Sequence, residues 1–330
     1  MDLSVQYMGL KLRNPLVVSA SPLTWKLDSI KSCEEHGAGA VVLRSLFEEE
    51  IYDEIEGHLE KDDMYFWYPE AADHIKKISK EQVTQPYLKL IESAQKETSI
   101  PIIASVNCFS SGDWVKFAKD IENAGADALE LNVATHLPYD DTMKAEKLEN
   151  LLSSIVRKVK EQINIPVAVK IGHYYTNLIS VAHELENAGA DALVIFNRFY
   201  RPDIDINTLK VVGDNHLSSP REVTYSLRWV SVMFRHVSCD IAASTGIHEY
   251  DAVVKQLLAG AAVTQLCSVL YLKGIKHLGN ILEDLERWMN DNNFESISDF
   301  RGKVSDDRLS SVKFEQIQFI EKSYTDFSID

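Results

Sequence analysis

The sequence predicts an α/β fold, a (β/α)8 TIM barrel, and three observations carry that expectation. The phrase ENAGADAL stands at 122–129 and again, letter for letter, at 186–193. Looser copies read EEHGAGAVVLR from Glu34 and LLAGAAVTQLC from Leu257. Each copy joins a helical tail, a small-residue turn and an apolar run. The runs are continuous rather than alternating, which marks strands buried on both faces. Eight such runs occur, and amphipathic stretches separate most of them.

The first run is PLVVSA (15–20). A doubly wound open sheet, the rival architecture, would want a GxGxxG turn after it, and SASPLTWK offers none. AVVLR (40–44) follows the first copy of the phrase, whose glycine supplies a left-handed helix cap. PIIASV (101–106) and PVAVK (166–170) are entered through Ile100-Pro101 and Ile165-Pro166. Proline is tolerated at the first residue of a strand, where its missing donor costs least. ALELN (128–132) and ALVIFN (192–197) complete the two identical copies, and each ends on asparagine. CDIAAS (239–244) and AAVTQLCS (261–268) complete the eight. DWVKFAKDIENAG and EKLENLLSSIVRKVKEQIN are among the helices expected between them. One domain over 1–330 is expected, with insertions after strands 2, 4 and 6 and a helical tail from about 275.

Bulk properties narrow the function classes. The chain is 45% hydrophobic and 25% charged, ordinary for a soluble globular protein. Lys and Arg number 34 against 50 Asp and Glu, a net charge of −16. Phosphate backbones and anionic lipid surfaces would repel such a chain, so neither nucleic acid nor membrane is the expected partner. No apolar run reaches the roughly eighteen residues of a membrane helix. The opening MDLSVQYMGLKLRNP lacks the layout of a secretory signal, and a cytoplasmic location is expected. Cys33, Cys108, Cys239 and Cys267 lie far apart, without metal or redox spacing, and read as reduced thiols.

In such barrels the active site lies at the C-terminal strand ends. Read in order, those ends carry Ser19 and Ser21, Arg44 and Ser45, Asn107, Asn132, Lys170, Asn197, Ser244-Thr245-Gly246, and Cys267-Ser268. Asparagine amides offer donors and acceptors together and suit a flat heterocycle with alternating NH and C=O groups. A buried Lys170 would need an anion or a lone-pair-rich partner. The loops after strands 7 and 8 of such barrels often bind phosphate through backbone NH groups. A flat ring, a phosphate and a lysine beside the ring together suggest flavin mononucleotide, FMN.

These strand ends resemble the class 1 dihydroorotate dehydrogenases and the related pyrimidine-reducing domain of dihydropyrimidine dehydrogenase. The similarity covers almost the whole chain: NPLVVSAS, GADALELN, IPVAVK, the Asn197 strand, TGI, QLCSVL and ESISDFRGKV, in that order. The resemblance implies FMN at the barrel mouth. Ser19, Ala20 and Ser21 would line the flavin from strand 1, and Arg44-Ser45 takes the place of the family's Lys-Ser or Lys-Thr. Asn132 and Asn197 match the amides that hold flavin and pyrimidine, and Lys170 matches the flavin lysine. Ser218-Ser219 sits where a Ser-Gly or Gly-Gly pair touches the cofactor, and Thr245, Gly246, Cys267 and Ser268 match the phosphate-binding backbone. A homodimer and an electron-transfer partner are further implications.

The departures fall on the substrate side. The family reads Asn-x-Ser-Cys-Pro-Asn after strand 4, with Cys as the base; here Thr135 holds that place, next to His136 and with Leu137 for the second amide. A hydroxyl is a poorer resident base than a thiolate, and His136 can assist because its unperturbed pKa lies near neutrality. His173 to Tyr175 is a second acid/base candidate. The Asn-rich substrate loop after strand 2 is replaced by DDMYFWYPEAADH (62–74), whose aromatics would cap the pocket. The expected reaction is oxidation of dihydroorotate to orotate, with a hydride going from C6 to flavin N5 and the C5 proton going to Thr135. Arg44, Asn132 and Asn197 would hold the substrate, and Arg44 has the fork for its carboxylate. The alternatives are a flavin oxidoreductase for another small heterocycle or enone, and a flavin-binding homologue impaired in catalysis.

Overall fold

The computed structural model describes residues 1–47, 69–107, 114–132, 144–198, 201–214 and 217–306. A short antiparallel hairpin, β1 (Val5–Tyr7) and β2 (Leu10–Leu12), precedes a closed parallel barrel. The barrel strands are β3 (Leu16–Val18), β4 (Ala40–Val42) with its continuation β5 (Leu46–Phe47), β6 (Ile102–Asn107), β7 (Ala128–Asn132), β8 (Val167–Ile171) and β9 (Ala192–Ile195). A hairpin, β10 (Arg201–Asp205) and β11 (Lys210–Asp214), follows β9; β12 (Asp240–Ser244) and β13 (Val263–Leu266) complete the ring. Each strand pairs with its sequence neighbour in the ring, and β13 closes on β3. All eight expected runs are barrel strands.

The helices pack outside: α1 (Leu27–Glu35), α2 (Pro69–Glu97), α3 (Trp114–Asn123), α4 (Ala145–Lys160), α5 (Leu178–Asn187), α6 (Val223–Met233), α7 (Tyr250–Ala259), α8 (Ser268–Lys273) and α9 (His277–Asp291). No helix among the described residues is long and apolar enough to cross a membrane.

The repeated phrase does the same structural work at every copy. Gly37, Gly125, Gly189 and Gly260 all have φ between 94° and 114°. At each, the following alanine N–H reaches back five residues, as in Ala126 to Ile121 (3.3 Å) and Ala190 to Leu185 (3.0 Å). This doubled closure satisfies the orphan carbonyls of the helix end. The aspartate of the two identical copies then reaches sideways. Asp127 Oδ2 accepts the Ile102 N–H at 2.8 Å, and Asp191 Oδ2 accepts the Val167 N–H at 2.7 Å. The glutamate of the phrase braces the entry to the following strand: Glu34 accepts from Ser99 N–H, Glu122 from Asn164 N–H, and Glu186 from Ser238 and Cys239 N–H, at 2.6–2.8 Å. The two identical copies therefore stitch their helix ends to strand entries on either side of their own strands.

Inside the barrel the lower positions are small: Ala40, Ala128, Ala168, Ala192 and Ala242. The space they leave is filled by Tyr7, Met8 and Leu12 from the N-terminal hairpin, all buried. The Met8 N–H is pinned to Asp240 Oδ2 at 2.8 Å, at the start of β12. This apolar plug closes the N-terminal face. The inner row changes character toward the other end, where Ser105, Glu130, Lys170, Ser244, Gln265 and Ser19 replace alanine and valine, all of them buried.

Candidate active site

The polar row floors an open cleft at the C-terminal mouth. Eight residues expected at the cofactor line it: Ser19, Lys170, Asn197, Ser218, Thr245, Gly246, Cys267 and Ser268. They come from the first, fifth, sixth, seventh and eighth barrel strands and the loops that follow them. Strand alternation places Lys170 inward, since Ala168 on the same face of β8 belongs to the inner cluster.

Lys170 is 7% exposed. Its Nζ donates to Ser19 Oγ and Gln265 Oε1, each at 3.2 Å, and lies 3.5 Å from Glu130 Oε1. Gln265 Nε2 donates to the other carboxylate oxygen, Glu130 Oε2, at 2.6 Å, and Ser19 Oγ donates to Gln265 Oε1 at 3.2 Å. The expected requirement for a partner is met inside the protein. Burying two charges this way is tolerable only with close pairing and satisfied lone pairs, and both are present. Sequence reasoning missed Glu130 and Gln265. Their signal was a polar residue in the middle of a short apolar run, ALELN and VTQL.

Asn132 and Asn197 meet directly: Asn197 Nδ2 donates to Asn132 Oδ1 at 2.9 Å. Ser218 forms a second cluster. Its N–H donates to Ser268 Oγ at 2.8 Å, its hydroxyl lies 3.2 Å from His248 Nε2, and the Gly246 N–H approaches that hydroxyl at 3.4 Å. His248, also missed, is buried, and that burial holds its imidazole below its ordinary value in favour of the neutral ring. Burial likewise pushes the Cys267 thiol up, which suits a neutral lining group rather than a nucleophile.

Thr245 and Gly246 both have φ of 77°. That region is unusual for a β-branched residue and marks a turn held by its surroundings. A Cβ on Gly246 would meet the Val223 backbone nitrogen at 2.2 Å. The turn is thereby pressed against the start of α6, and its backbone faces the cleft.

The other expected residues lie around this centre. Ser21 and Ser45 are buried, and Ala20 is half-buried. Ser45 Oγ lies 2.7 Å from Ser105 Oγ. The Arg44 guanidinium sits over the rings of Trp25 (5.1 Å) and Phe47 (5.8 Å), cation–π contacts that fix it beside the mouth. Ser219 is exposed, and its N–H donates to Glu222 Oε1 at 2.8 Å, outside the cleft lining. Thr135, His136, Leu137 and the aromatics Tyr65 to Tyr68 lie outside the described residues. His173, Tyr174 and Tyr225 border an adjoining cleft that shares Asn197 and Thr245 with the first.

Comparison with known proteins gives one family. The family model described as dihydroorotate dehydrogenase matches residues 72–289, well over half of the chain. The chain is 27% identical over 308 residues to an Aeropyrum pernix protein provisionally named dihydroorotate dehydrogenase A (fumarate), covering 91% of this chain and 97% of that one. It is also 27% identical to proteins named dihydroorotate dehydrogenase B (NAD(+)), catalytic subunit, from Thermoplasma acidophilum and Thermoplasma volcanium. These alignments cover 91% of this chain and 98% of each relative.

Proposed function

The chain belongs to the dihydroorotate dehydrogenase family, and from that premise we propose that it is an FMN-dependent enzyme oxidising dihydroorotate to orotate. The observation that carries this reading is the buried Lys170 at the floor of a cleft whose rim bears the Asn132–Asn197 pair.

The residues present fit a flavin nucleotide. Asn107 Oδ1 is buried without a hydrogen-bond partner among the described residues, and it stands at a strand end of the mouth. Buried polar atoms left so are costly and suit a bound polar ring. Lys170, Asn132, Asn197, Ser19, Ala20, Ser21, Arg44 and Ser45 would hold the ring. Ser218, Thr245, Gly246, Cys267 and Ser268 would hold the phosphate end, whereas Ser219, turned out toward Glu222, would not. Bound there, FMN supplies the hydride acceptor, its N5 atom. Lys170 offers positive charge where a flavin gains negative charge on reduction.

The chain's own residues carry the rest. Arg44, held over Trp25 and Phe47, would pair with the substrate carboxylate, and Asn132 and Asn197 would bind its amide groups. Thr135 takes the C5 proton, with His136 relaying it. The protein acts as a cytoplasmic homodimer and hands its electrons on to a second acceptor or partner.

A second reading, oxidation or reduction of another small heterocycle or enone, is favoured by Leu137 and by the 62–74 stretch, which depart from the family pattern on the substrate side alone. One experiment separates the two. Photoreduced, flavin-loaded protein is mixed anaerobically with orotate and the flavin bands are followed. Reoxidation at a rate that saturates with orotate supports the first reading; a spectrum that stays reduced excludes it and leaves the second.

A further inference from the structure

The interior of the barrel below the mouth is apolar, mostly alanine and valine with Ile103 and the Tyr7, Met8 and Leu12 plug, and a charged pair stands in the polar row above it. Glu130 on β7, Lys170 on β8, Gln265 on β13 and Ser19 after β3 form a closed polar cluster. Glu130 is 1% exposed and Gln265 2%. A buried ion pair is weak evidence for stability, because apolar residues of similar volume often do as well or better. The barrel closes through backbone pairing and has no need of this carboxylate. Its geometry points elsewhere. The Gln265 amide stands between the two charged groups, accepting from Lys170 and donating to Glu130, so each member is oriented by the other two.

We propose that Glu130, oriented by Gln265, is a positioning residue: it holds the Lys170 ammonium at the cleft floor and tempers the positive charge offered to the cofactor, and so sets the cofactor's reduction potential. This rests on the FMN reading above. A flavin gains negative charge on reduction, and a nearby ammonium favours that state. A carboxylate close behind the ammonium, in an interior of low dielectric, cancels part of its field and draws it away from the ring. Removing the carboxylate alone releases the ammonium toward the ring and raises the potential. Removing the ammonium lowers it.

The test is a double-mutant cycle on Glu130→Gln and Lys170→Met. In FMN-loaded protein the potential is read by equilibration with a reference dye. Glu130→Gln is expected to favour the reduced form at least tenfold, about 30 mV for a two-electron couple. In the Lys170→Met background the same change is expected to have less than half that effect. No shift, or an equal shift in both backgrounds, overturns the proposal, because a residue of merely structural importance would not move the potential through Lys170. The same four apoproteins are compared by thermal unfolding. There Lys170→Met should restore part of the midpoint lost in Glu130→Gln, and strictly additive losses overturn the pairing. If no FMN binds to any of them, the function reading fails while the apoprotein cycle still judges the pair. Should Glu130→Gln not fold, Gln265→Leu takes its place. It removes only the orienting amide and should shift the potential in the same direction by a smaller factor; no shift from it overturns the proposal.

Discussion

The amide of Asn197 donates to the amide of Asn132 at 2.9 Å, joining the sixth barrel strand to the fourth across the end of the fifth, which carries Lys170. The two repeated phrases thus terminate in side chains that touch. Replacing Asn197 by Ala removes this bond and, on the proposed function, one polar contact to the ring. FMN affinity is expected to fall about tenfold, some 1.4 kcal/mol. Quenching of FMN fluorescence on titration with apoprotein reads it directly.

Gly246 tests how tightly the mouth is built. Its φ of 77° and the 2.2 Å approach of a built Cβ to Val223 nitrogen leave no room for Ala. Gly246→Ala is expected to cost about 2–4 kcal/mol in urea unfolding and to weaken FMN retention. Gly9, with a similar φ of 76° and nothing within 4 Å, is the control. Gly9→Ala carries only the backbone penalty, about 1 kcal/mol.

The glutamates of the repeated phrase make a stability prediction away from the site. Glu186 Oε1 accepts two backbone N–H groups, from Ser238 and Cys239. Glu186→Ala leaves both without this acceptor at the entry to β12, and a loss of about 1.5–3 kcal/mol is expected. For a chain of this size that is a midpoint lowered by several degrees in thermal unfolding. An unchanged midpoint would show that water replaces the carboxylate without cost.

His248 gives the molecule an acid-sensitive element. Burial, outweighing the opposing influence of Glu249, places the folded-state value below the 6.5 of an unfolded histidine. The unfolded chain therefore binds the proton more readily. The stability tied to the neutral ring is complete above pH 6.5 and is lost as pH falls through the folded value. His248→Gln should flatten that part of the stability curve between pH 7 and pH 5, measured by urea unfolding. Parallel curves for the two proteins would refute it.

Thr135 is the residue proposed to take the substrate proton. Thr135→Ala is expected to slow flavin reduction by dihydroorotate about 10²- to 10⁴-fold while leaving FMN binding intact. Stopped-flow absorbance separates the two effects. A rate unchanged in Thr135→Ala and reduced in His136→Ala would move the role to the histidine.

The barrel was legible because its physics is local and repeated. Gly125 and Gly189 need the left-handed region, the aliphatic runs need burial on both faces, and both needs are written in consecutive letters. The mouth was legible wherever a strand simply ends on a polar residue, as at Asn132, Lys170 and Asn197. Glu130 and Gln265 were not, because each sits in the middle of an apolar run and gains its meaning from a partner on another strand, 135 positions apart. His248 was hidden for the same reason: its partner Ser218 is 30 residues away. Ser219 shows the reverse, a residue beside a cleft-lining neighbour whose backbone turns out toward Glu222.

The central claim is that the polar ends of these strands form one flavin site, and titration of the apoprotein with FMN tests it most directly. The account predicts saturable quenching at one FMN per chain, a yellow complex, and an affinity weakened by loss of Lys170. A colourless protein that leaves FMN fluorescence unchanged at every concentration would contradict it.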